Sequence, residues 1–189
     1  EWVKYQQGTD PTALWASLQN KGTAWCTKGI GTAEKQLNDG DFYVYYTLDM
    51  QGKPTIPRIA IRMNGHDKIS NDVRGVLDSQ QNIEGNMVPI LEEKLKDFGP
   101  AADAWKKKTA DMKMLTAIEK ATKESQPLTS TQLRFLYEID SKIEWFGYQP
   151  DPRIAELRST RNPTEDMPTV FECSPAEIAH SAKDITAET

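Results

Sequence analysis

The groups with the most chemical reach in this chain are three arginines set among strand-forming residues: Arg58 and Arg62 in PTIPRIAIRMNG, and Arg74 in ISNDVRG. Alternate side chains of a strand share a face, so Arg58, Ala60 and Arg62 should point one way and Ile59, Ile61 and Met63 the other. A preceding strand, Asp41 to Asp49, sets Tyr43 and Tyr45 opposite Phe42, Val44, Tyr46 and Leu48, and the arginines are expected near those two tyrosines. Guanidinium groups converging over aromatic rings suit a planar or phosphorylated ligand, because each is a rigid donor fork that also stacks on π faces. The same residues fit a quieter arrangement, in which they pair with Asp41, Asp72 or Glu84 and lie along the rings.

Two further groups carry possible chemistry. Gln80, Gln81, Asn82 and Asn86 surround Glu84 in a turn leading into a helix, where Gln81 and Asn82 either contact a ligand or serve the helix end. Cys26, in GTAWCTKG, is a nucleophile if a base and a positive environment lower its pKa, and otherwise a small buried side chain. Cys26 and Glu84 are therefore the candidate reacting groups of an enzyme acting on a nucleotide-like substrate. His66 falls in a hairpin turn at the sheet rim. GIGTAE, at Gly29 to Glu34, lacks the Lys-Ser/Thr of a P-loop and the third glycine of a dinucleotide fingerprint. With Cys26 and Cys173 far apart and only two histidines, neither a metal nor a cofactor is expected.

These groups must be held by a small sheet and its covering helices. Asn64-Gly65 is a turn dipeptide, so a third strand, Lys68 to Val76, should return antiparallel to the arginine strand. Before the sheet, Asp10-Pro11 opens a short helix with Leu14, Trp15 and Leu18 on one face, and Thr32 caps a second over Ala33 to Asn38. After it, Met87, Ile90, Leu91 and Leu95 recur at helical spacing and should cover the apolar face of the meander until Gly99-Pro100. Helices are then expected over Ala102 to Glu124, Ser130 to Phe146 and Pro152 to Thr160. The fold class is α+β, with an α+β domain over 1–99, a helical extension over 100–161 packed on it, and a loosely packed acidic tail over 162–189.

Composition narrows the partners. The net charge is −5, and from Asn162 onward six acids stand against one lysine, so the tail carries the whole excess. The body is nearly neutral, which speaks against nucleic acid and against an anionic membrane surface. The basic run Trp105-Lys106-Lys107-Lys108, with Lys113, Lys120 and Lys123, is either a solvated helix face or a contact for an acidic partner. No run approaches the ~20 apolar residues of a membrane span. A chain beginning with Glu reads as a piece of a longer protein, with the cytoplasm as its expected compartment.

The motifs WCT, QLNDGDFYVYY, PRIAIRM, VRG, QNIEGN, DMKMLT, FLYEID, FGYQPDPRI and FECSPAEIA together resemble a family of bacterial proteins from candidate-phylum genomes. That family has no assigned activity, so the resemblance implies no reaction. A more distant likeness, in the order Cys, helix ending in Gly, strand, arginine strand and Gln/Asn-rich turn, is to the PcfJ-like proteins of phages and conjugative elements. The paired histidines of that motif are absent, since Ala24 and Trp25 precede Cys26. The leading expectation is a ligand- or partner-binding module, taking an anionic small molecule or a protein on the arginine and tyrosine face. An enzyme and a purely architectural domain are the alternatives.

Overall fold

The computed structural model describes residues 1–21, 29–76, 82–146, 149–179 and 181–185. The chain divides into two compact units, Glu1–Trp105 and Lys106–Thr189. The architecture is α+β. Among the described residues of the first unit, four antiparallel strands lie side by side in chain order: β1 (Trp2–Tyr5), β2 (Phe42–Leu48), β3 (Pro54–Asn64) and β4 (Lys68–Gly75). Strands β2 to β4 are the expected meander. β1 is an addition, laid along β2 with Trp2 opposite Tyr45 and Lys4 opposite Tyr43.

Alternation in β2 feeds two cores, one on each side of the sheet. Phe42, Val44 and Tyr46 join Ala60 and Val76 beneath α1 (Thr12–Ser17) and α2 (Ile30–Asp39), where Leu14, Leu18, Ala33 and Leu37 are buried. Tyr43 and Tyr45 join Ile59, Ile61 and Met63 on the other side, beneath α3 (Val88–Lys96) with its buried Leu91 and Leu95. The sheet is therefore a filling between helical layers. Ala102 and Trp105 also pack into this second core, so the first unit runs past the expected boundary at Gly99-Pro100 into α4 (Pro100–Lys123).

The lower end of the sheet is closed by one buried carboxylate. Asp41 has no exposed surface, and it accepts from the Lys4 ammonium at 2.9 Å, the Gln7 amide at 2.8 Å and His66 Nδ1 at 2.9 Å. Burial pushes its pKa up, but the Lys4, Gln7 and His66 contacts outweigh that and hold it below the usual carboxylate range. The β1 strand, the segment after it, the start of β2 and the β3–β4 turn thereby converge on one side chain. Gly40 makes this approach possible: a Cβ there would stand 2.4 Å from the Met63 carbonyl and 2.7 Å from the Gly65 amide. Space, not backbone angle, requires the glycine.

The second unit is helical, with α5 (Ser130–Leu136), α6 (Pro152–Ser159) and α7 (Pro163–Phe171) around Leu115, Ile118, Leu133, Leu136, Leu157 and Val170. Thr129 and Gln132 form a reciprocal capping box at the start of α5. The helix expected to reach Phe146 stops at Leu136, because Glu138 turns left-handed at φ 55°. That turn is held by Arg158, which donates to the Glu138 carboxylate at 2.8 Å and to the Leu136 carbonyl at 2.7 Å. Trp145 packs on this unit's own core.

The first part of the acidic tail forms α7. Asn162 caps α7, Val170 is buried, and Asp166 is gripped by Arg161 at 2.6 Å and the Tyr137 hydroxyl at 2.7 Å. Burial, with the adjacent Asp166 carboxylate, pushes the Tyr137 pKa up to about 12.

Two outcomes follow for the first unit. Gly40→Ala should cost about 2 kcal/mol by forcing β2 from the β3–β4 turn, read as a lower urea midpoint; an unchanged midpoint would refute the tight closure. Because the folded pKa of Asp41 is depressed, its contribution is full above its unfolded value near ~3.9 and fades as pH falls through the lower folded value. The stability gap between wild type and Asp41→Asn, measured by urea unfolding, should accordingly be wide at neutral pH and shrink in acid.

Candidate functional site

The arginine strand departs from strict alternation at the position that matters most. The β2–β3 register shifts between Tyr45 and Tyr46: Tyr45 faces Ile59 and Tyr46 faces Pro57, so Arg58 has no partner in β2. It occupies a bulge, and a bulge re-aims its side chain. The Arg58 guanidinium grips Glu84 with two bonds, 2.7 Å from Nε and 2.5 Å from the terminal nitrogen. Glu84 stands immediately before the turn into α3, the helix over the tyrosine side.

Arg62 is held by the other layer. It donates at 3.1 Å to Asp39, the last residue of α2, and at 3.1 Å to Asp72. Arg74, paired across the ladder with Ala60, donates to the other oxygen of Asp72 at 2.6 Å. Asp72 is itself buried, so one carboxylate serves two guanidiniums. Of the three acids expected as partners, Glu84 and Asp72 take that part, while Asp41 binds Lys4 and His66 instead.

The expected meeting of arginines and tyrosines does not occur. Cross-strand neighbours share a face, and Tyr43 lies opposite Ile61 whereas Arg62 lies opposite Phe42. Tyr43 and Tyr45 are therefore on the far side of the sheet from Arg62 and Arg74. The difference is one of phase: alternation holds along β2 and from Ile59 onward in β3, but the pairing between strands sets which faces coincide.

Asn82 lies by β4, with its carbonyl so close to Gly75 that an added Cβ would stand 2.1 Å away. Cys26 and Gln81 lie outside the described residues. Glu84 is in place, but its carboxylate is occupied by Arg58. GIGTAE is the first turn of α2. Among the described residues, no group of three His, Cys, Asp or Glu side chains is close enough to hold a metal ion, and no helix is long and apolar enough to cross a membrane. Lys107 and Lys123 of the basic helix each meet an acid one turn away, Asp111 and Glu119, at 2.6 Å.

The tyrosine side holds a concave surface. A groove of about 430 Å³ runs between the edge strand β1 and α3, walled by Trp2, Tyr45, Pro89 and Ile90 and rimmed by Glu93, Lys94 and Asp97. Trp2 and Tyr45 are a cross-strand pair with ring centroids 5.3 Å apart and planes inclined at 55°. Tyr43 meets Phe98 edge to face, also at 5.3 Å. The Lys94 ammonium sits among these rings, 4.9 Å from the Tyr43 centroid, 5.7 Å from Phe98 and 5.8 Å from Trp2, with the Asp97 carboxylate 3.0 Å away. This is a cation–π cage closed by an ion pair.

Sequence reasoning passed over Trp2, Lys94 and Asp97 altogether. Two signals were available: WVKY alternates as a strand does, and Lys94 and Phe98 stand one helical turn apart. What could not be read was the long-range pairing that brings Trp2 beside Tyr45. Comparison of the chain with family models, with curated proteins and with solved structures finds no match.

The bidentate clasp gives a direct check on the arginines. Arg58→Ala should lower stability by about 2 kcal/mol, and Arg58→Lys should restore little of it, because an ammonium cannot reproduce two parallel bonds to Glu84. Equal urea midpoints for all three proteins would mean that Arg58 is free for a ligand.

Proposed function

We propose that the first unit is a binding module whose seat is the groove between β1 and α3, with the arginines acting as internal braces. The observation that carries this reading is the groove itself. Its walls are apolar and aromatic, and its few charged groups stand at the rim, the usual composition of a recognition site. The position of the groove favours a polypeptide ligand. Among the described residues β1 is an edge strand of the sheet, and an edge strand offers backbone donors and acceptors to an added extended segment, whose side chains can then enter the adjoining groove.

The arginine side supports binding less well. Arg58 and Arg62 are each committed to carboxylates, so an incoming anion would have to displace Glu84, Asp39 or Asp72. An enzyme acting through Glu84 would need the same clasp broken. The sequence resemblance to candidate-phylum proteins is compatible with this reading and adds no activity to it.

The test is a screen of short blocked peptides by amide chemical-shift mapping. Hits are expected to shift Trp2, its indole, Tyr45 and Ile90, and to be lost in Trp2→Ala while the melting temperature stays within a few degrees. Hits confined to the surroundings of Arg62 and Arg74, or no hits, would overturn the proposal.

A further inference from the structure

Resting on that reading, we infer that the groove is built for a basic segment: an extended stretch of a partner protein that adds along β1 and lays a lysine or arginine side chain over Trp2 and Tyr45, its cation between Glu93 and Asp97. The chain already shows that these walls accept a cation. The Lys94 ammonium lies within 4.9–5.8 Å of the ring centroids of Tyr43, Phe98 and Trp2. Ring faces carry negative charge density, so a second guanidinium or ammonium reaching Trp2 and Tyr45 would meet the same attraction.

The balance of charge in the groove points the same way. Its lining holds two carboxylates, Glu93 and Asp97, against one ammonium, that of Lys94, which lies among the rings and pairs with Asp97 at 3.0 Å, so the lining keeps an excess of one negative charge. Both carboxylates are open to solvent, with side-chain exposures of 75% for Glu93 and 63% for Asp97. Glu93 is paired with Lys96, but that pair is exposed at both ends, the class of ion pair most readily exchanged for another. On the same face Lys4 is bound to the buried Asp41 and Lys94 to Asp97, so an acidic segment would have to displace a carboxylate to reach either. The stems of lysine and arginine are apolar and suit the Pro89 and Ile90 wall, leaving the charge at the rim.

The edge position sets the conformation of the ligand. Trp2 and Lys4 alternate on the tyrosine face of β1, so a strand added beside it presents every second side chain to that face. A basic residue at one such position would reach the groove.

Three blocked hexapeptides test the inference against the intact chain: alternating Lys and Val, alternating Thr and Val, and alternating Glu and Val. The lysine peptide should bind about tenfold more tightly than the threonine peptide, and Glu93→Gln/Asp97→Asn or about 0.5 M salt should erase the difference. It should also slow amide exchange of β1. Equal binding of the lysine and threonine peptides at Trp2 and Ile90 would overturn the inference and leave the groove reading standing. Tighter binding of the glutamate peptide would overturn it as well, and binding without protection of β1 would refute the added strand. If no peptide shifts the groove, the binding reading falls too.

Discussion

The first unit depends on a carboxylate taken wholly out of water. Asp41 ties Lys4, Gln7 and His66 to the start of β2, and Gly40 beside it lets the β3–β4 turn come within van der Waals reach. A buried charge is tolerable only when it is paired and its acceptor sites are filled, and three donors meet that condition here. The arrangement is specific because its donors come from segments distant in sequence. It holds β1 against β2, and β1 supplies Trp2, without which the groove would lose one wall.

The same economy governs the two faces of the sheet. On the α2 side, polar groups neutralise one another: Arg62 and Arg74 share Asp72, and Asp39 takes the second terminal nitrogen of Arg62, whose buried Nε–H is left without an acceptor. On the α3 side the strands contribute aromatic rings, and the helix contributes a cation to sit among them. Internal ion pairs consume binding potential, whereas ring faces beside an open edge retain it. That contrast is why the tyrosine side, and not the arginine side, is the better candidate for recognition. The second unit repeats the bracing, with Arg153 on Asp151 and Glu119, Arg158 on Glu138 and Arg161 on Asp166.

Much of this was readable from local pattern. The period-two runs of β2 and β3, the Asn64-Gly65 turn, the spacing of Met87, Leu91 and Leu95, and the caps at Thr129 and Asp151 are all short-range signals, and each marks an element that is present. Pairing was not readable. Arg58 and Tyr45 look alike in phase until the bulge and the register are known, and the four residues of β1 are too short a strand to stand out before their partner is seen. The left-handed turn at Glu138 was hidden for a related reason: it is held by Arg158, twenty residues away, against a helical pattern that runs on through Ile143.

In this arrangement Arg58 and Arg62 are held by carboxylates while the aromatic groove is open. Side-chain nitrogen NMR of the free protein tests it most directly, through the mobility and solvent exchange of the arginine side-chain nitrogens. Arg58 should give a slowly exchanging, rigid Nε–H signal that loosens when Glu84 is removed, and Arg62, whose Nε–H is buried without an acceptor, should show restricted rotation of its terminal nitrogens that is released when Asp72 is removed. Fast exchange and free rotation at both, as for a fully solvated arginine, would contradict this arrangement.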